Sequence, residues 1–324
     1  MAFLCLGSGR PPLDSSGNPG QRDIVSVKKF ARKYGFTNIK VKRETITLKG
    51  NVHQLEFAKD SRKVKVNGTV VWLSDAMVVQ KRLWVLSQKD VELTLKPLIL
   101  PTEVLQGRGH KTVVLDAGHG GDDSGAVSPT GLMEKKVVLD ITHRVRAHLL
   151  ELGYQVYLTR HDDRFLDLAE RPRRAGKWDA DVFVSIHANS GPKTAVGTES
   201  FAFTLQGYPS TNHTFGTPIP SQSFPGNDFN QANMSLAYAI HHSLVQRQQL
   251  TDRGVRRARF AVLKNAPCPA ALVEVGFLSH PVEGVQLAQA KKRTALALSI
   301  ATGIDNYLRT VKKASIKLEK ATDE

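Results

Sequence analysis

Four residues in this chain of 324 have the types and settings from which metal-ligand or proton-transfer chemistry is built. His119 stands in Asp116-Ala117-Gly118-His119-Gly120-Gly121, directly after the apolar run Val113-Val114-Leu115. His187 follows a second apolar run, Val182-Phe183-Val184-Ser185-Ile186. Glu274 lies inside a third, Leu272 to Leu278, where a charge is costly unless it is paired or meets a metal. Glu134 follows Gly131-Leu132-Met133 at the start of a helical pattern. Imidazole nitrogens and carboxylate oxygens are metal donors, and carboxylates also carry protons. Each residue taken singly has a plainer reading. The glycines around His119 make a turn, His187 is a satisfied strand histidine, and Glu134 is a first-turn acid favoured by the helix dipole. Glu274 is then an ion-pair partner of Arg171 or Arg253.

The elements around these residues bring them to one place. An apolar run that ends in a glycine turn reads as a buried strand reaching the rim of a sheet. In open α/β sheets, ligands sit outside the carboxyl ends of the strands. From Glu134 onward, Val137, Val138, Ile141, Val145, Leu149 and Leu152 follow helical spacing, and Gly153 ends the helix. A strand at 154–158 follows, then a helix from Leu168, the His187 strand, and a strand at 198–203 that holds Glu199. A helix over Met234 to Gln248, the Glu274 strand and a closing helix from Arg293 to Leu308 complete the order. The alternation implies an α/β fold with a mixed, mostly parallel sheet flanked by helices. The stretch 206–231 is broken by Pro209, Pro218, Pro220 and Pro225, which oppose a long helix. Loops of that length often border clefts, so this one is expected to shape the groove. Phe215, Phe224 and Phe229 are its candidates for substrate contact, with packing onto the domain the expected role of at least two.

These motifs, in this order, resemble the zinc-dependent N-acetylmuramoyl-L-alanine amidases of the amidase 3 family, over about residues 110–310. The resemblance implies that His119, Glu134 and His187 bind Zn2+ and leave one coordination position open. It implies that Glu274 is the catalytic base. The ligands are spaced by 15 and 53 residues, so no local HExxH helix is involved and the sheet must assemble the site. Asp116, Asn189 and Arg253 are the candidates for supporting contacts, Asp116 by orienting a ligand histidine or capping the loop. Two positions depart from the family pattern. Ala175-Gly176 stands where an Ala-Asn pair is usual, and His280 stands where asparagine is. The implied function is a peptidoglycan hydrolase that cleaves the amide between N-acetylmuramic acid and L-alanine, working in the periplasm or secreted to the cell envelope. The alternatives are a related zinc peptidase acting on another amide and a non-catalytic wall-binding protein.

Composition sets the outer bounds. The length suits about two domains. Apolar residues make up 41% and charged residues 23%, as in globular proteins. No stretch of 18 apolar residues occurs, so no integral membrane segment is expected. The net charge of +15 suits nucleic acid, an anionic membrane or an acidic polymer, and equally plain solubility. No nucleic-acid motif accompanies it, so nucleic acid is not an expected partner. Peptidoglycan is, and nothing in the sequence names a protein activator. Cys5 and Cys268 make neither a disulfide framework nor a thiolate cluster, and Cys268 reads as structural. The first seven residues lack a basic segment and a long apolar run, so no export signal is evident there.

Five segments are expected: a disordered start (1–22), a small β-rich domain (23–100), a linker (101–110), the catalytic domain (111–311) and a solvated charged tail (312–324). Asn67-Gly68 gives the β-rich domain its hairpin signal. That domain resembles the small copper amine oxidase N-terminal-like modules found beside some wall enzymes. It has no His or Cys cluster, so no metal is assigned to it, and Trp72 and Trp84 read as core. His110, His143, His148, His161, His241 and His242 read as surface residues.

Overall fold

The computed structural model describes residues 23–105, 111–214 and 216–322. Residues 1–22, residues 106–110 of the expected linker, Phe215 and the last two residues lie outside it. By its contacts the chain divides into two units, Met1–Leu100 and Pro101–Glu324.

The first unit starts with strand β1 (Ile24–Ser26) and helix α1 (Val27–Lys33). Five strands follow as an antiparallel meander: β2 (Asn38–Val41), β3 (Thr45–Lys49), β4 (Gln54–Ala58), β5 (Ser61–Val66) and β6 (Thr69–Gln80). β7 (Leu83–Ser87) pairs with both β6 and β1. The β5–β6 turn is Asn67-Gly68 with φ of 49° and 83°, the left-handed pair that a type I′ hairpin requires. Period-two alternation buries Ile46, Leu48, Leu55, Phe57, Val64 and Val66 on one face and leaves polar residues on the other. The unit closes with a helical run that the β-rich reading did not contain: α2 (Gln88–Asp90), a π turn (Val91–Leu95) and α3 (Lys96–Ile99). Trp72 and Trp84 are half-buried, and the Lys63 ammonium lies over the Trp72 ring.

The second unit begins with a one-turn helix, α4 (Pro101–Val104), in the first part of the expected linker. Its strands are β8 (Thr112–Ala117), β9 (Gln155–Leu158), β10 (Val182–Asn189), β11 (Thr198–Phe203), β12 (Asp252–Ala258) and β13 (Ala270–Phe277). They lie in the order β12-β11-β13-β10-β8-β9. All neighbours are parallel except β11 and β13, so the sheet is mixed and mostly parallel. The longer helices are α5 (Glu134–Glu151), α6 (Glu170–Lys177) and α7 (Asn230–Gln248). The short α8 (Ala261–Lys264) and α9 (Pro281–Ala288) precede the long α10 (Ala290–Thr322). α5 and α7 pack on α10 and on the strands, while α6 and α8 pack together with Phe183, Phe201 and Leu272. Strands covered on both faces read as continuous apolar runs, which is why β8, β10 and β13 stand out in the sequence.

Two expectations need correction here. The closing helix, expected over Arg293 to Leu308, runs as α10 on to Thr322, with Ala314 buried. Lys, Ala, Leu and Glu are strong helix formers, so charge there does not oppose the helix. His241 is fully buried on α7, where it meets the Ser200 hydroxyl at 3.2 Å and Asp252 at 2.9 Å. α7 is covered nearly all round, and a satisfied histidine fits inside it.

Candidate metal centre

The site lies where β8 and β10 end and α5 begins. After Ala117 the chain turns, and His119 takes a left-handed backbone with φ 59°, an uncommon conformation outside glycine. Its Nδ1 meets the Asp123 carboxylate at 2.8 Å, which leaves Nε2 facing Glu134 at 3.1 Å. His187, on β10, brings Nδ1 to 2.9 Å from the same Glu134 oxygen, Oε1. The two imidazole rings stand edge to face, 5.0 Å apart.

Glu134 is the first residue of α5 and almost fully buried. Its Oε1 also accepts from the Ala188 amide at 3.0 Å, and its Oε2 from the Ala126 amide at 2.8 Å. Burial pushes its pKa up, but hydrogen bonds and charge from His119 and His187 outweigh this and hold the carboxyl well below its usual range. His119 shows the mirror effect. Burial opposes its charge, and Glu134 with Asp123 outweighs that and raises its pKa.

Glycines make the room. A Cβ on Gly118 would lie 2.2 Å from the His187 ring, and one on Gly125 would lie 2.6 Å from Glu134 Oε2 and 2.7 Å from the His119 ring. One ligand atom from each of His119, Glu134 and His187 lies within 4.8 Å of the others. Donors about 2.0–2.2 Å from a tetrahedral ion stand roughly 3.4 Å apart. The separations of 2.9 and 3.1 Å are near that spacing, and two imidazoles with one carboxylate are the donor chemistry of such a site. The three residues therefore fit a divalent metal ion.

Glu274 stands beside this group, in register with His187 on the neighbouring parallel strand. Its Oε2 is sealed from solvent and has no hydrogen-bond partner. Burial, then the negative charges of Glu134 and Glu199, push its pKa well above the usual carboxylate range. The ion-pair reading does not hold: Arg171 is spent on Asp116, and Arg253 on Glu199. A cleft of about 380 Å³ opens over the centre, walled by Leu168, Phe260 and Val262 as well as by the four polar residues.

Of the three supporting candidates, Asn189 lines the cleft, while Asp116 lies behind the His119 loop. Asp116 touches neither imidazole. It accepts from Thr159, Ser185 and Arg171, and Arg171 in turn donates to the His119 carbonyl at 2.8 Å. Asn189 and Arg253 converge on Glu199, at 2.6 and 3.2 Å, where Arg256 joins them at 3.2 Å. Glu199 lies directly opposite Glu274 across the antiparallel pair. His280 is the N-cap of α9, accepting from the Val282 and Glu283 amides.

Asp123 and Glu199 were missed as site residues. Glu199 carried a signal, since it too is an acid inside an apolar strand. The loop expectation also needs correction. Among the described residues, 206–224 is irregular and Pro225–Phe229 is a 3-10 turn, but none of 206–231 lines the cleft. Phe224 packs edge-on against Phe203 and under Lys264, and the loop is tied to β12 by Thr211 and Asn212. Phe224 finds an apolar partner there, and that packing takes its ring away from the groove; Phe215 lies outside the described residues.

Comparison with known proteins identifies the family of this region. A family model described as N-acetylmuramoyl-L-alanine amidase matches residues 113–306. An uncharacterized Bacillus subtilis protein, YqiI, is 36% identical over 66% of this chain and 92% of its own length. The amidase AmiC of Neisseria meningitidis serogroup B is 34% identical over 63% of this chain, and the match spans 55% of that relative. Among solved structures, amidase AmiC2 of Nostoc punctiforme aligns with a TM-score of 0.52 at 34% identity, over 63% of this chain and 99% of that one. Matched by the family model over more than half its length, with the His119, Glu134, His187 and Glu274 cluster inside the matched region, the chain belongs to the N-acetylmuramoyl-L-alanine amidase family, amidase 3.

Proposed function

We propose that this chain is a zinc-dependent N-acetylmuramoyl-L-alanine amidase that hydrolyses peptidoglycan at the bond between N-acetylmuramic acid and the L-alanine of the stem peptide. The observation that carries the reading is the meeting of His119 Nε2 and His187 Nδ1 on Glu134 Oε1, beside an unpartnered Glu274. His119, Glu134 and His187 would hold the ion. When bound, zinc supplies Lewis acidity, polarising the scissile carbonyl and lowering the pKa of water to about 7.

The rest belongs to the chain. Asp123 accepts from His119 Nδ1 and so keeps Nε2 free of a proton and aimed at the centre. The Ala126 and Ala188 amides fix both Glu134 oxygens. Glu274 is the base. Its carboxylate stands in register beside His187 with one oxygen that has no hydrogen-bond partner, so it is placed to accept a proton from the attacking water. It then delivers that proton to the departing nitrogen. Water oxygen joins the lactyl carbonyl carbon, the C–N bond breaks, and the products are a lactyl carboxylate on the sugar and a free α-amine on L-alanine. Leu168 and Phe260 line the cleft and offer apolar surface beside the centre.

The substrate places the activity at the cell wall, in the periplasm or outside the cell. Among the described residues no helix is long and apolar enough to cross a membrane. The test is solubilisation of purified sacculi by the full chain. It should stop when a chelator strips the protein and return with about one equivalent of zinc per chain. Undiminished activity in metal-free protein would contradict the reading.

A further inference from the structure

One buried guanidinium grips both backbones that carry the first two candidate ligands. Arg160, on the segment after β9, is fully buried. Its Nη2 donates to the Gly118 carbonyl at 2.6 Å, next to His119, and to the Lys135 carbonyl at 3.0 Å, next to Glu134. Its Nε donates to the Ala117 carbonyl at 2.9 Å and its Nη1 to the Asp162 carbonyl at 3.0 Å. All its hydrogen bonds go to backbone carbonyls. Burying a charge without a carboxylate in contact is an expensive way to gain stability alone.

The His119 loop has a need that this arrangement meets. His119 sits in a strained left-handed conformation. The carbonyls of Ala117, Gly118 and His119 take up guanidinium donors: Arg160 serves the first two, and Arg171 serves Ala117 and His119. Of these two arginines, Arg160 also reaches α5. The guanidinium is a rigid planar fork, so the spacing of the carbonyls it holds follows from its own covalent frame. The loop is packed tightly over it: a Cβ on Gly120 would lie 3.1 Å from Arg160 Nε.

We propose that Arg160 is a positioning residue of the metal centre, holding the His119 loop and the first turn of α5 at a fixed separation before any ion arrives and thereby setting metal affinity. The inference rests on the reading of His119, Glu134 and His187 as ligands.

The experiment compares zinc dissociation constants, by chelator competition on the metal-free full chain, for wild type, R160K and R257K. Lysine keeps the charge but offers one compact ammonium in place of the fork. Arg257 is the control. It is also buried and donates to a carbonyl, that of Phe203 at 3.0 Å, away from the three ligands. R160K should weaken zinc binding by about 10–100-fold, the usual scale for groups that orient ligands. R257K should lower Tm and leave zinc affinity near that of wild type. Equal affinity in R160K and wild type overturns the inference, and so does an equal loss in both variants, which would mark a general effect of a missing buried guanidinium. Wild-type protein that binds no zinc would remove the ligand reading, and this inference with it. A second measurement needs no variant. Amide hydrogen exchange over residues 118–136 should be slow in metal-free wild type and change little on zinc loading. Fast exchange that becomes slow only with zinc would show that the ion, and not Arg160, orders the site.

Discussion

His187 and Glu274 lie side by side in register on the parallel strands β10 and β13, with Glu199 across from Glu274 on β11. A candidate ligand, a candidate base and a second acid thus form one row across three strands. The row ends in cations, because Arg253 and Arg256 both reach Glu199. Glu199 is therefore compensated and Glu274 is not. That difference assigns the proton-carrying role to Glu274 rather than to its neighbour.

Glu274→Gln keeps size and hydrogen-bonding capacity and removes the base. Turnover on sacculi should fall by about 10²–10⁴-fold, the range of general-base catalysis. Zinc content, measured by atomic absorption, should stay at the wild-type level. Near-normal turnover would remove Glu274 from the mechanism.

The same substitution should stabilise the metal-free protein at neutral pH. Burial raises the folded pKa of Glu274, so between the unfolded value, about 4.3, and the folded one the native state binds more protons than the unfolded chain. Wild-type stability therefore falls as pH rises through that window, while Glu274→Gln is spared. A gain on the order of 1 kcal/mol, the low end for an unsatisfied buried polar group, corresponds to about 2–4 °C in Tm. Calorimetry at neutral and acid pH checks this. The gap should close near pH ~4, below the unfolded pKa of about 4.3.

Replacing His119, Glu134 or His187 by alanine should abolish zinc binding and activity together. Glu134→Ala should also destabilise the metal-free protein. It strips the Ala126 and Ala188 amides of their acceptor, at about 1–3 kcal/mol for each buried group left unpaired. Stoichiometric zinc in any of the three variants, read by metal analysis, would refute that ligand.

His119, His187 and Glu274 stand out in the sequence because each lies in or just beyond an apolar run, and Glu134 because it is the first acid of a helical pattern; their roles as ligands and base came from the family resemblance. What was not legible depends on contacts between distant segments. Arg160 looks like an ordinary residue after a strand until Gly118 and Lys135 close around it, 42 and 25 residues away. Asp123 lies in a Gly- and Ser-rich stretch that gives no periodicity to read. His241 was placed on the surface because polarity was taken as exposure, whereas Ser200 and Asp252 satisfy it inside the fold. The segment beyond Lys312 was read by its charge alone, although its helix-forming residues extend α10.

Phe224→Ala tests the corrected role of the 206–231 loop. Phe224 packs against Phe203 and the core beside it, so the change should cost stability, about 2–3 kcal/mol, less than the 3–5 of a fully buried phenylalanine. KM for sacculi should be unchanged. A raised KM with unchanged Tm would return this ring to the groove.

The most direct test of the central claim identifies the broken bond. Purified sacculi are digested with the zinc-loaded full chain, and the products are analysed by mass spectrometry with amino-end labelling, using Glu274→Gln as the parallel control. An amidase yields intact glycan strands free of peptide, together with stem peptides bearing new L-alanine amino ends, and the variant yields almost none of either. New amino ends on any other residue, with peptide still attached to muramic acid, would make the enzyme a peptidase and contradict the account.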